Sequence, residues 1–303
     1  MFCGLIFHVK TWRNRSSSSV AAKGVMAQPT PERMRDNRGF NYLGLRLKSA
    51  CLLAPPVFAV ISLGSPWFDI LVVVTGLIMV WEWASMCSDG DFDLVGWLMA
   101  AGMSISLVPL YSGSLKFSLI LVVCVSGIVA TVALLRRHES PVRIAMGTAL
   151  ISIFCLSFLL LRRTPDIGLE LVVWLIVAVW CTDAGGYLFG KLVGGPKLAP
   201  RISPNKTWVG LGGGVVLAGL WSAATLSWAG GYSLGWVMAA AICIALLAQF
   251  GDLAVSAVKR RFGVKDTSGL IPGHGGVLDR LDGMLLTGPT VAFVLLLRAK
   301  GWI

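Results

Sequence analysis

Residues 256–282 read SAVKRRFGVKDTSGLIPGHGGVLDRLD, and this polar segment stands between two strongly apolar stretches, about 234–255 and 283–298. It brings Lys259, Arg260, Lys265 and Arg280 together with Asp266, Asp279, Asp282 and His274 in a glycine-rich setting. Ionisable groups beside a bilayer are costly, so such a concentration marks a site. Lys259, Arg260 and Lys265 are suited to holding phosphates. Asp252 just upstream, Asp266, Asp279 and Asp282 offer the hard oxygens that magnesium prefers. The chemistry suggested is phosphoryl or nucleotidyl transfer at a membrane surface.

The flanking stretches set the fold class. Of 303 residues, 56% are hydrophobic and only 14% charged, and the mean hydropathy of +0.77 is that of a polytopic membrane protein. Nine apolar runs approach the length needed to cross about 30 Å of hydrocarbon. They lie at about 49–64, 66–86, 94–110, 115–135, 144–161, 168–189, 209–229, 234–255 and 283–298. An all-α transmembrane bundle of about nine spans is therefore expected, the first of them short and interrupted by Pro55-Pro56. Trp67, Trp97, Trp208 and Trp236 sit near run ends, where an indole rests at headgroup level.

With the N-terminus in the cytoplasm, 21 of the 26 Lys and Arg residues fall on the cytoplasmic side and 5 on the other. That asymmetry supports this orientation and places the loops 190–208 and 256–282 in the cytoplasm. The net charge of +11 is thus a topology and headgroup signal, and nucleic acid is not an expected partner. The seven cysteines form no CxxC pair and mostly lie in apolar runs, so neither a disulfide framework nor a zinc site follows. Three regions are expected: a disordered basic tail over 1–40, N-terminal transmembrane helices over 41–165, and a C-terminal transmembrane catalytic region over 166–303. The tail also admits a transit peptide, or a true start at Met26 or Met34.

Two further polar clusters accompany the first. Thr182-Asp183-Ala184-Gly185-Gly186-Tyr187 lies at the cytoplasmic end of the sixth run, and an acid at membrane depth is a functional candidate by default. Ser203-Pro204-Asn205-Lys206-Thr207-Trp208 follows a basic loop with Lys191, Lys197 and Arg201. There Pro204 can set a turn, Lys206 supplies a point charge, and Ser203 and Asn205 can donate hydrogen bonds at a helix start. If the eighth helix continues through residue 261, Asp252, Ser256, Lys259 and Arg260 share one face. Gly210 and Gly214 form a GxxxG spacing suited to close helix packing. No Walker A or dinucleotide-binding pattern exists in the chain.

Ser256-x-Val258-Lys259-Arg260, Lys265-Asp266 and the run from Leu270 to Asp282, with SPNKTW and TDAGGYLFGK upstream in the same order, resemble the motifs of the phosphatidate cytidylyltransferases, or CDP-diacylglycerol synthases. The match covers roughly 174–285; the N-terminal half is similar only in being a series of apolar spans. The resemblance implies transfer of a cytidylyl group from CTP to phosphatidic acid with a divalent metal, and a multi-pass integral protein of the bacterial inner membrane is expected.

By resemblance, Asp252 and Asp279 are the metal ligands, with Asp183 and Asp282 as further candidates. Magnesium is the first expectation, another divalent or an additional monovalent cation the alternative. Ser203, Lys206, Ser256, Lys259 and Arg260 are expected around the nucleotide phosphates, and Asn205, Lys265, His274 and Arg280 complete the substrate-binding set. Catalysis is expected to rest on Asp252, Lys259 and Asp279, with His274 organising its loop. Val209 and Val255 stand where the family often has acids, which removes any role for those carboxylates here. Partners expected are CTP, phosphatidic acid and membrane lipids, with a homodimer left open. Two other functions remain open, a cation transporter or channel and a CTP-dependent lipid kinase; a CDP-alcohol phosphotransferase is disfavoured, since the motif that begins at Asp282-Gly283 is not continued.

Overall fold

Glycine, proline and short polar caps divide the apolar runs into helices. A computed structural model describes residues 52, 54–88, 92–228, 233–271 and 275–302. The expected tail over 1–40 and His274 lie outside the described residues. The helices are α1 (Ala54–Leu63), α2 (Trp67–Cys87), α3 (Leu94–Tyr111), α4 (Leu115–Leu135), α5 (Pro141–Arg162) and α6 (Gly168–Leu192). The chain continues through strands β1 (Lys197–Ala199) and β2 (Ser203–Thr207) to α7 (Trp208–Ala224), α8 (Leu234–Arg261), the short α9 (Leu278–Leu281) and α10 (Met284–Ala299).

Local sequence explains the breaks. Asp93 caps α3 by accepting from the Val95 and Gly96 N–H groups at 3.1 and 3.2 Å. Pro141 opens α5, where its missing N–H costs nothing. Gly64 and Gly263 follow α1 and α8 at φ +73° and +70°, a conformation other residues adopt at a cost.

Among the described residues, each expected apolar run contains a helix. Six of them, α2 to α6 and α8, are long and apolar enough to cross a membrane, while α1, α7 and α10 are shorter. At 1.5 Å per residue, a helix of 16 or 17 residues covers roughly 25 Å, less than the hydrocarbon thickness. The expectation of an all-α chain needs one correction. Ser203–Thr207 is not a turn followed by a helix start but a strand, paired antiparallel with β1 in the register Lys197↔Thr207 and Ala199↔Ser203. Pro204 favours an extended Ser203 before it, and in a two-stranded ribbon its missing donor can face outward.

α5 is central among the first helices and packs against α2, α3, α4, α6 and α10, burying Ile144, Ile151, Phe154 and Leu159. α4 leaves Phe117, Val123, Ile128 and Leu135 exposed, a surface suited to acyl chains and costly in water. Trp67, Trp97, Trp208 and Trp236 are also exposed, each within the first turn of a helix, as interfacial anchors should be.

Candidate active site

The site begins with the close approach of α6 and α7. A methyl group added at Gly185 would meet the Gly213 carbonyl oxygen at 2.4 Å, at Gly210 that of Gly186 at 2.7 Å, and at Gly214 that of Thr182 at 2.8 Å. The GxxxG face of α7 is therefore a backbone-to-backbone contact, and it sets the first two turns of α7 against residues 182–186 of α6, the segment that contains Asp183. Thr207, the last residue of β2, caps α7 by accepting from the Gly210 N–H at 3.0 Å.

From this ribbon Lys206 reaches α8 and forms an ion pair with Asp252. Asp252 also accepts from the Ser256 hydroxyl at 3.1 Å. α8 does continue to Arg261, so Asp252, Ser256 and Lys259 share a stripe. Arg260 does not join them. At 100° per residue it lies about 80° off Asp252; it is exposed and donates to the Val264 carbonyl oxygen at 3.3 Å.

Lys259 instead turns to the other side of the site. Its ammonium donates to Asp279 Oδ1 at 2.6 Å, and both residues are 7% exposed. Asp279 Oδ2 accepts from the Thr267 and Gly276 N–H groups at 2.8 and 3.0 Å. Burial alone would raise the Asp279 carboxyl, but these hydrogen bonds outweigh it and hold the group below its usual range. Asp282 follows on the next turn, where a methyl group at Gly251 would meet its carbonyl oxygen at 2.7 Å. Burial first, and then the Asp252 and Asp183 carboxylates, push Asp282 well above the ordinary carboxylate range.

Asp183, Asp252 and Asp282 thus lie within electrostatic reach of one another, with Lys206, Lys259 and Arg280 as counter-charges. Three clusters far apart in sequence form one polar site. Ser203 is half-buried on β2, while Asn205, Lys265 and Arg280 are exposed. Val255 is buried among apolar side chains and Val209 lies against Gly195, so neither position presents a polar group to the site. Among the described residues no three His, Cys, Asp or Glu side chains are close enough to hold one metal ion by themselves.

One residue escaped the sequence reading. Glu82, on α2, is 0% exposed. Its Oε1 accepts from the Ser268 hydroxyl at 2.7 Å and the Val277 N–H at 2.8 Å; its Oε2 accepts from the Leu278 N–H at 2.7 Å and the Thr267 hydroxyl at 3.0 Å. An acid near the end of an apolar run was the available signal, but nothing in the run says which distant loop it meets.

The family model described as the Cytidylyltransferase family matches residues 44–298. The chain belongs to this family. A phosphatidate cytidylyltransferase of Brucella suis biovar 1 (strain 1330) is 34% identical over 253 residues, covering 80% of this chain and 89% of the relative. One from Staphylococcus aureus (strain COL) is 31% identical over 227 residues, covering 74% and 87% respectively. As a cytidylyltransferase family member the chain is an enzyme, a nucleotidyltransferase carried on membrane-crossing helices. The match also reaches beyond the C-terminal motifs to include the helix that carries Glu82.

Proposed function

We propose that this enzyme transfers the cytidylyl group of CTP to phosphatidic acid, releasing pyrophosphate and forming CDP-diacylglycerol, at the cytoplasmic face of a bacterial inner membrane. The observation that carries the reading is the meeting of Lys206 with Asp252, and of Lys259 with Asp279, around a cluster completed by Asp183 and Asp282. The names of the relatives support the substrates, and the uneven distribution of Lys and Arg along the sequence supports the cytoplasmic placement.

A phosphate monoester oxygen of phosphatidic acid is largely ionised near neutral pH, so it needs little help from a base. It attacks the α-phosphorus of CTP, the new P–O bond forms, and the bond to the β-phosphate breaks with its electron pair leaving on pyrophosphate. The barrier comes from bringing two anions together and from charge growing on the leaving group. Lys206 and Lys259, each now paired with an acid, are placed to turn to those phosphates, with Ser203, Ser256 and Arg280 around them. Arg260, Lys265 and Asn205 are exposed, in keeping with contacts to the solvent side of the nucleotide.

The donor set fits magnesium. Mg²⁺ is usually held by one or two carboxylates plus substrate phosphates, not by an all-protein cage, and the three mutually repelling acids call for a cation beyond the lysines. Asp252 and Asp279 would hold it, with Asp183 and Asp282 adjacent. When bound, the ion would neutralise phosphate charge as a Lewis acid.

The test is purified protein in lipid nanodiscs with CTP, phosphatidic acid and Mg²⁺. Equal amounts of CDP-diacylglycerol and pyrophosphate are expected, lost with EDTA and regained with Mg²⁺. Release of CDP with a phosphorylated lipid would instead show a kinase. Ion flux into sealed vesicles without CTP turnover would show a transporter.

A further inference from the structure

Resting on that proposed function, we infer that Glu82 is a positioning residue for the reaction: from α2 it holds the Thr267–Leu278 loop in the shape that sets Asp279 against Lys259. A carboxylate offers about four acceptor sites, and all of them are taken by donors from the two ends of this one loop. Ser268 and Thr267 come from its beginning, Val277 and Leu278 from its end.

The loop is shared between two carboxylates in alternation. Thr267 gives its N–H to Asp279 and its hydroxyl to Glu82. Gly276 gives its N–H to Asp279, and the next residue, Val277, gives its N–H to Glu82. A displacement of either carboxylate therefore moves donors of the other. Gly276 records how tightly the three parts meet, since a methyl group there would lie 2.1 Å from Thr267 Oγ1 and 2.5 Å from Glu82 Oε1. Just upstream, Ile271 and Gly275 exchange backbone hydrogen bonds at 2.8 and 3.1 Å, which ties the two sides of the loop to each other.

α2 cannot follow the loop if it drifts. Trp83, 2% exposed beside Glu82, donates its indole N–H to the Arg143 carbonyl oxygen at 3.1 Å at the start of α5. Glu82 is thus a fixed point supplied by the N-terminal helices to a loop whose own residues are mostly polar. Its four hydrogen bonds all go to the loop and none to the Asp252 stripe or Lys206, so its influence on catalysis runs through Asp279.

The test uses Glu82→Gln, Glu82→Asp, Ser268→Ala and the double variant Glu82→Gln/Ser268→Ala in purified full-length protein in nanodiscs. A misplacement of about 1 Å is worth about 100-fold in rate. Glu82→Gln and Glu82→Asp are each expected to lower kcat about 10- to 100-fold with the KM for phosphatidic acid within about twofold. The aspartate keeps the charge but not the reach and the glutamine the reach but not the charge, so losses in both show that the loop needs each. Ser268→Ala, which removes one donor of four, is expected to cost about 3- to 10-fold and serves if the Glu82 variants do not fold.

Because both act on one loop, the double variant should fall within about twofold of Glu82→Gln alone. Losses that multiply, or a kcat left unchanged, overturn the inference. Hydrogen exchange provides a readout independent of activity. Amides in the segment 275–281 should exchange at least about tenfold faster in Glu82→Gln, while those of α4 keep their rates. Equal acceleration everywhere would mean general destabilisation and would also overturn it. If the unaltered protein makes no CDP-diacylglycerol, the proposed reaction fails while the exchange arm still decides the loop's dependence on Glu82.

Discussion

Replacing Lys259 by Met removes a charge while keeping most of the side chain's length. In the unaltered protein the ammonium lies 2.6 Å from Asp279 Oδ1, and each residue is 7% exposed, so little water screens the pair. Removing one partner of a desolvated pair costs about 3–5 kcal/mol. Asp279 keeps two backbone donors, Thr267 and Gly276, which puts the expectation near the lower end, about 3 kcal/mol. For a chain of this size that lowers the unfolding midpoint by roughly 5 °C. The double variant Lys259→Met/Asp279→Leu should recover most of the loss, because an apolar pair of similar volume carries no orphaned charge. Neither variant should make CDP-diacylglycerol.

The pH dependence supplies a second check on the same pair. Burial opposes ionisation of Asp279, but Lys259, Gly276 and Thr267 hold its carboxyl below the ordinary value. A depressed carboxyl contributes stability that is present above the unfolded value of about 3.9 and is lost as pH falls through the folded value. Without Lys259 the carboxyl rises, so acid relieves the variant before it harms the unaltered protein. The gap between their midpoints should narrow as pH falls toward the unfolded value of about 3.9. Heating the detergent-purified proteins and measuring the fraction that remains monodisperse gives the midpoints. A shift below about 2 °C for the single variant, or a double variant less stable than the single, would refute a desolvated, stabilising pair.

Asp279→Asn should abolish CTP-dependent product formation in membranes that still contain the folded protein; full retained activity would remove Asp279 from the metal-binding proposal. Lys206→Ala should leave less than about 1% of activity whereas exposed Arg260→Ala keeps at least about a tenth, since only the former cation faces the acids; the reverse order would mean that Arg260 swings inward when substrate binds. Gly214→Val should destabilise by about 1–3 kcal/mol through overpacking, because even a methyl group there lies 2.8 Å from the Thr182 carbonyl oxygen. A neutral result in thermal denaturation would mean that α6 and α7 separate readily.

What could be read from the chain and what could not divides along a physical line. Apolar runs and the Asp252, Ser256 and Lys259 stripe follow from the properties of a single helix, so they were legible. The packing role of Gly210 and Gly214 was legible too, because small residues four apart have few other uses in a membrane. The β1–β2 ribbon was not, since SPNKT lacks the alternation of a half-buried strand and owes its shape to pairing with residues a few positions upstream. Arg260 shows the limit of a helical-wheel argument: eight residues along, its angular lag of about 80° is enough to face it outward to Val264.

Glu82 marks the deeper limit. Its partners lie more than 180 positions away, and its neighbours in the sequence are those of an ordinary apolar helix. A buried carboxylate there would be prohibitively unstable without donors, so an acid in such a run requires that some other segment supply them. The glycine-rich loop supplies backbone N–H groups because Gly276 has no side chain to occupy the space that the carboxylate needs. The motif's glycine and the helix's acid are therefore two halves of one constraint. A larger residue at position 276 should imitate the loss of Glu82 by expelling the carboxylate from its donors.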